Sequence, residues 1–204
     1  MTPTPPVPPA LAARPDAPAA PATPSQELAA ELALVLAAQR GSADAFGHLV
    51  RRHSERAYAV ARGIVLTHED AEDVVQEAFL HAYKALDRFR PEQPFGAWLH
   101  RIVANAALDN TRRRKVRNTD ELHDVHAAPF RDPAVSRDLR ERLQVALATL
   151  PPRQRAVLVL HDVEGYKHAE IGGLLDIPEG TARSDLFHAR AAMRRALSPL
   201  RETP

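Results

Sequence analysis

The sequence predicts an all-α protein: two small helical domains joined by a flexible linker, the C-terminal one carrying a helix–turn–helix. Three observations support this. Apolar residues recur three and four apart over most of the 204 residues, the period of a half-buried helix, and no segment alternates as a strand would. The period is lost over 116–136, where Pro129 and Pro133 fall among acids, the composition of a linker. Finally, Lys167–Leu175 reads as a short helix and Asp176-Ile177-Pro178-Glu179-Gly180 as a turn. Thr181 then opens a long helix running to about Leu197.

Residues 1–24 hold nine of the 18 prolines, so this segment reads as a disordered Pro/Ala-rich tail. The first domain is expected over 25–117. Ser25 caps a helix with the stripe Leu28, Leu32, Val35 and Leu36, which ends at Gly41. Ser42 caps a second, whose apolar face runs through Phe46, Leu49, Val50, His53, Ala57, Val60 and Ile64. Thr67-His68-Glu69-Asp70 has the form of a capping box. The helix it opens buries Ala71, Val74, Val75, Ala78, Phe79, Ala82 and Leu86, with Tyr83 assigned to the core rather than to a partner. After the loop Asp87–Pro94, a fourth helix buries Trp98, Leu99, Ile102, Val103 and Ala106.

An acidic linker is expected over 118–137 and a second domain over 138–200. Its first stripe is Leu139, Leu143, Ala146, Leu147 and Leu150. Pro151-Pro152 breaks that helix and starts another, with Ala156, Val157, Leu160 and Val163 in the core. On the last helix Ala182, Leu186, Ala189 and Met193 form a buried back, while Arg183, Arg190 and Arg194 point elsewhere. A helix with an apolar back and a cationic front suits a DNA major groove.

The formal net charge is only +1, but its distribution is uneven. Glu69–Asp87 holds six acids and one base; Arg101–Arg117 holds six bases and one acid. Such blocks suit one basic and one acidic partner, or two solvated faces that attract each other; charge alone leaves both open. The absence of cysteine excludes disulfides, thiol redox chemistry and thiolate zinc sites. No apolar run is long enough to span a membrane and no secretory signal is present, so a cytoplasmic protein without membrane association is expected. A phosphate-binding glycine loop and a nucleophile elbow are both missing, and Glu77 and His81 are four apart rather than the three of a di-iron motif. No catalytic residue, metal or cofactor is expected.

Two segments together resemble the bacterial sigma factors of the extracytoplasmic-function (ECF) type. The first is Asp70-Ala71-Glu72-Asp73-Val74-Val75-Gln76-Glu77-Ala78-Phe79 followed by Phe95-Gly96-Ala97-Trp98-Leu99. The second is Leu150-Pro151-Pro152-Arg153-Gln154-Arg155 followed by Glu170-Ile171 and Ile177-Pro178-Glu179-Gly180-Thr181. The resemblance implies a promoter-recognition subunit that recruits RNA polymerase core enzyme, and an anti-sigma factor as a further partner. It implies that Asp70, Asp73, Gln76 and Glu77 dock a coiled coil of the largest polymerase subunit. The basic helix and the loop before it would hold the opened −10 element, through Phe89, Arg90, Gln93, Arg101, Asn105, Arg112 and Arg113. The helix–turn–helix would read the −35 element, with Arg155, Lys167, Thr181, Arg183, Ser184, Asp185, His188 and Arg190 as contacts. The linker would thread toward the polymerase cleft.

The chemistry is consistent with these roles. Asp70, Asp73 and Glu77 lie on one side of a helix. Arg101, Asn105 and Arg112 share one stripe; guanidinium groups match phosphate, and an asparagine amide can read a base edge. The chain departs from the family pattern in four places. Asp185 stands where arginine is usual, Phe187-His188 where His-Arg is common, Gly172 where alanine is usual and Ala104 where a basic residue is frequent. Two roles are open for Asp185: accepting from a cytosine amino group, or pairing with Arg183 or Arg190. The competing function is a helix–turn–helix regulator that acts without core polymerase, and the acidic helix separates the two because a repressor has no need of it.

Overall fold

A computed structural model describes residues 23–117 and 137–198; the tail before Thr23 and most of the expected linker lie outside the described residues. Eight α-helices are present among them: α1 Pro24–Gln39, α2 Ala43–Val65, α3 His68–Ala85, α4 Phe95–Arg117, α5 Arg137–Ala148, α6 Pro152–Asp162, α7 His168–Leu175 and α8 Glu179–Leu197. A 3-10 turn covers Leu86–Arg88.

The start of α1 differs from the Ser25 expectation. Thr23 is the N-cap, its hydroxyl accepting from Gln26 N while the Gln26 side chain accepts from Thr23 N at 2.8 Å. Pro24 then occupies the first turn, where its missing N–H costs nothing. The burial of α1 also differs from its leucine stripe. Leu28 is 60% exposed, whereas Val35, Ala38 and Glu31 are buried. Glu31 is tolerated inside because His53 Nε2 lies 3.0 Å and Arg52 Nε 3.3 Å from its carboxylate. Burial holds His53 below the usual imidazole range although Glu31 opposes the shift.

α2 is the central helix of the first domain, packed on α1, α3 and α4. Leu49, His53, Ala57, Val60 and Ile64 face inward as their spacing predicts, with Phe46 and Val50 at the edge. Leu66 ends it in the left-handed region at φ 71°, and the Arg62 guanidinium donates to its carbonyl. Aromatic side chains close the far end: Phe89, Phe95 and Trp98 pack with centroids 5.0–5.7 Å apart.

In the second domain α6 packs on α8, and α7 and α5 flank α8. Leu160, Ile171, Ala182, Leu186 and Ala189 form its centre. Val163, assigned to the core from its spacing, is exposed just beyond the end of α6. The turn of the helix–turn–helix needs two backbone features. Asp176 adopts a left-handed conformation at φ 55°. At Gly172 an added Cβ would lie 2.8 Å from the Ile177 carbonyl oxygen, so glycine is required for the close approach. α8 begins at Glu179, two residues before the expected Thr181, because Pro178 supplies the extended N-cap. The two domains touch: α6 packs on α2, and α7 on α4.

Candidate nucleic-acid and polymerase interfaces

Thr67 caps α3 as expected, its Oγ1 accepting from Asp70 N at 3.3 Å, but the expected capping box is only half formed, because the Asp70 side chain does not accept from the Thr67 backbone N–H. Its geometry corrects one assignment. The Asp70 carboxylate takes the Thr67 hydroxyl and the Arg114 guanidinium of α4, and is half-buried against that helix rather than turned to a partner. Glu77 accepts from Arg113 Nη2 at 3.1 Å and remains partly exposed. Asp73 and Gln76 face solvent.

Beside Gln76 the surface becomes apolar. Phe46, Val50, Phe79, Leu80 and Tyr83 line a groove of about 440 Å³ between α2 and α3. Tyr83, assigned to the core, is 51% exposed and meets Phe46 edge-on with centroids 4.9 Å apart. The core assignment is thereby corrected: Tyr83 sits at the rim of the apolar arc, where the helix face turns to solvent.

On α4, Arg101 and Asn105 are exposed along one line, and Arg112 continues it with Asp109 Oδ1 3.0 Å away. Ala104 is fully buried, so its lack of charge follows from packing. Phe89 is corrected: it is 5% exposed, packed edge-on against Phe95 and tilted against Trp98, and cannot serve as a platform for a base. Gln39 fixes that backbone by donating to the Phe89 and Leu86 carbonyls at 3.0 and 2.9 Å. Arg90 and Gln93 do stand out into solvent, joined by a Gln93 N to Arg90 O hydrogen bond of 3.4 Å.

The front of the helix–turn–helix carries exposed Lys167, Arg183, Ser184, Phe187 and His188, with Thr181 half-buried. Glu170 accepts from Lys167 N at 2.7 Å, and Glu179 from Arg183 at 2.7 Å. Arg190 lies at the side, donating from Nε to Asp162 at 3.1 Å. This pairing holds the Asp162 carboxyl below the usual carboxylate range.

Two further assignments are corrected here. Asp185 is 5% exposed and pairs with neither Arg183 nor Arg190. It accepts from Arg153 Nε at 2.6 Å and Nη2 at 3.3 Å, which ties α8 to the start of α6 and raises the Arg153 pKa. The signal was present in the spacing: 182, 185 and 189 are three and four apart, so Asp185 belongs to the buried back. Arg155 is 7% exposed and donates to the Leu147 carbonyl at 3.5 Å. Burial lowers its pKa to about 10, and its Nε has no hydrogen-bond partner. It braces α6 against α5 and is not placed to reach a phosphate. Arg153, which sequence reasoning passed over, is the residue that orients the recognition helix.

A chain with an acidic surface on one domain, a basic helix beside it and a helix–turn–helix on a second domain belongs to the class of promoter-reading transcription proteins. The comparisons with known proteins make this specific. Residues 49–117 match the family Sigma-70 region 2, and residues 140–193 match Sigma-70, region 4. ECF RNA polymerase sigma factor SigM of Mycobacterium tuberculosis H37Rv is 38% identical over 171 residues, 84% of this chain and 86% of the relative. ECF RNA polymerase sigma-E factor of Escherichia coli K12 is 31% identical over 85% of this chain and 97% of its own. Among solved structures, CnrH in complex with the cytosolic domain of CnrY matches with TM-score 0.63 at 31% identity, over 83% of this chain and 98% of that one. The sigma factor RpoE bound to the anti-sigma factor NepR, from Bartonella quintana, shares the fold at TM-score 0.66 and 24% identity, over 75% and 96% of the two chains.

The chain belongs to the ECF sigma factors of the sigma-70 family. Such proteins are not enzymes; they bind RNA polymerase core and direct transcription initiation at promoters. Among the described residues no helix is long and apolar enough to cross a membrane.

Proposed function

We propose that this sigma factor docks on core polymerase through the α3 face centred on Asp73 and Gln76, with Glu77 at its edge and the Phe46–Leu80–Tyr83 groove extending it. The partner surface is a basic coiled coil of the largest subunit, which the outward carboxylates complement. The α4 stripe of Arg101, Asn105, Arg112 and Arg113, with loop residues Arg90 and Gln93, holds the opened −10 strand. The α8 front of Thr181, Arg183, Ser184 and His188, with Lys167 and Arg190 at its edges, reads the −35 duplex. The observation that carries this reading is the division of exposed charge, acidic on α3 and cationic along α4 and α8. A protein that works with polymerase acts in the cytoplasm, which is the location this reading assigns. An inhibitory protein partner also fits, since CnrH and RpoE were solved with CnrY and NepR bound.

The test is transcription by purified core enzyme plus this protein, with Asn105→Ala compared at one mapped promoter. Loss of a base contact costs about 1–3 kcal/mol. The variant should therefore lose permanganate reactivity in the melted region while closed-duplex binding holds. Equal reactivity would remove α4 from strand opening.

A further inference from the structure

The outer face of α1 inverts the usual order of polar and apolar residues. From Leu28 to Ala38 the single polar side chain is Glu31, and it is buried against His53 and Arg52. Leu28, Leu32 and Leu36, four apart, instead stand in solvent at 60%, 38% and 37% exposure, with exposed Ala29 and Ala33 beside them. A helix that is apolar all round is ordinarily covered on every side. The loop before α4 extends the face: Pro91 and Pro94 border a groove of about 170 Å³ that Leu28, Leu32 and Val35 also line. A continuous apolar patch of this kind on a small protein marks an interaction site.

Residues 1–22 are a poor cover for it, offering only Met1, Val7 and Leu11 as long apolar side chains among eight prolines. The α1 helix of a second copy supplies what is missing: three leucines at one-turn spacing, and two alanines that allow an approach of about 8 Å. Charge sets the orientation. Arg40 follows the C-terminal end of the stripe, and Glu92 lines the groove with Leu28; both are exposed, and neither makes an ion pair among the described residues. Antiparallel helices related by a two-fold axis at Leu32 bring Arg40 of each copy toward Glu92 of the other and oppose the helix dipoles. Parallel ones would set Arg40 against Arg40.

We propose that the polymerase-free chain pairs with a second copy of itself through α1, antiparallel and two-fold, with the leucines in the contact and Arg40 facing Glu92. The 16 residues of α1 lie side by side over about 24 Å, so the contact sits at the low end of specific interfaces, about 1,200 Å² or less. The dimer is therefore weak and dissociates on dilution. Leu28, Leu32, Leu36, Arg40 and Glu92 belong to neither the polymerase nor the DNA surfaces, so the pairing stands or falls apart from those assignments.

Sedimentation velocity of the full chain at about 5 and about 200 μM tests it, since mass action favours the dimer at the higher concentration. The mass should move from one chain toward two. Leu32→Glu should raise the dissociation constant about tenfold or more, because the contact would bury an unpaired charge. Its helicity should hold, since the side chain faces solvent in the single chain. Should helicity fall, Leu28→Glu, at the most exposed leucine, is read in its place. Arg40→Glu should raise the constant about fivefold, and Arg40→Glu with Glu92→Arg should return it near wild type. A wild-type chain that stays single at about 200 μM overturns the pairing, as does a helical Leu32→Glu chain that dimerises undiminished. A charge exchange that recovers nothing overturns the antiparallel arrangement. A chain starting at Thr23 that dimerises where the full chain does not gives the face to residues 1–22 and overturns the proposal.

Discussion

Asp73 of the first domain and Asp162 and Asp185 of the second are used in opposite ways. On α3 of the first domain Asp73 points outward and makes no ion pair among the described residues. In the second domain Asp162 and Asp185 are each taken by an arginine of another helix. Arg153 of α6 holds Asp185 of α8, and Arg190 of α8 holds Asp162 at the end of α6. The same residue type thus stands exposed on α3 at position 73 and ties two helices together at positions 162 and 185. Helical phase decides which. Asp73 lies off the Ala71–Val74–Ala78 stripe, whereas Asp185 lies on the Ala182–Ala189 stripe.

The largest effect expected from this contrast is at Asp73. Asp73→Arg leaves every buried contact in place, so helicity and thermal stability should stay near wild type. A like charge set against a basic partner costs several kcal/mol, so core association should weaken about 100-fold. Undiminished co-elution with core enzyme would mean that the outward carboxylate is only solvated.

Asp185 should behave in the reverse manner. Asp185→Arg puts a second cation beside Arg153 at a site with little water, and breaking a mostly buried pair destabilises strongly. Arg153 is more than half-exposed, which reduces the penalty to about 2 kcal/mol. The domain should melt several degrees lower in calorimetry, and DNA affinity should fall only as the folded fraction falls. The exchange Asp185→Arg with Arg153→Asp should recover part of the loss. A fully stable Asp185→Arg variant with a changed base preference would restore Asp185 to the DNA surface.

Much of this was legible beforehand. The helix count, the place of the helix–turn–helix turn and the Thr67 N-cap of α3 follow from local spacing and cap chemistry, which one segment carries alone. What stayed hidden depends on neighbours distant in sequence. Arg114 drawing Asp70 inward, Gln39 bracing the Phe89 loop and Glu31 rather than Leu28 being buried on α1 are all decided by an opposing helix. Asp185 is different in kind. Its phase was readable, but comparison with the arginine usual at that position directed attention to the DNA side.

The contact between α4 and the α6–α7 loop should weaken in acid. Burial lowers His100 to about 4 from an ordinary 6.5, with His53 and Arg56 adding to the shift. A depressed histidine pKa makes this contact most stable above pH 6.5, and that stability declines as pH falls toward 4. Between pH 8 and 5 the loss amounts to about 2 kcal/mol. The groups facing it are Tyr166 and Glu164 from the loop between α6 and α7, and His53 and Arg56 from α2. Glu164, raised by burial, acts oppositely as it gains its proton, while His53, lowered by burial, is held against Glu31 and Phe95 inside the first domain. Scattering at pH 5 should therefore show a larger radius than at pH 8, and His100→Gln should flatten the difference. A radius independent of pH in the wild-type chain would show that His100 titrates without release.

The smallest effect belongs to Glu77, which stands between the two uses of acid. Its pair with Arg113 is exposed on both sides, 38% and 55%, and such pairs contribute about 0.5 kcal/mol or less. Glu77→Gln should leave the melting temperature unchanged within error. If Glu77 exchanges Arg113 for the polymerase on docking, the same change weakens core association about fivefold, worth about 1 kcal/mol. Arg113→Ala then frees the carboxylate and should tighten association slightly, in opposition to its expected loss of strand binding on α4. Glu77→Gln with no effect on core binding, together with Arg113→Ala that also leaves it unchanged, would place Glu77 with Asp70 among the residues that join α3 to α4 and leave Asp73 and Gln76 as the polar centre of the docking face.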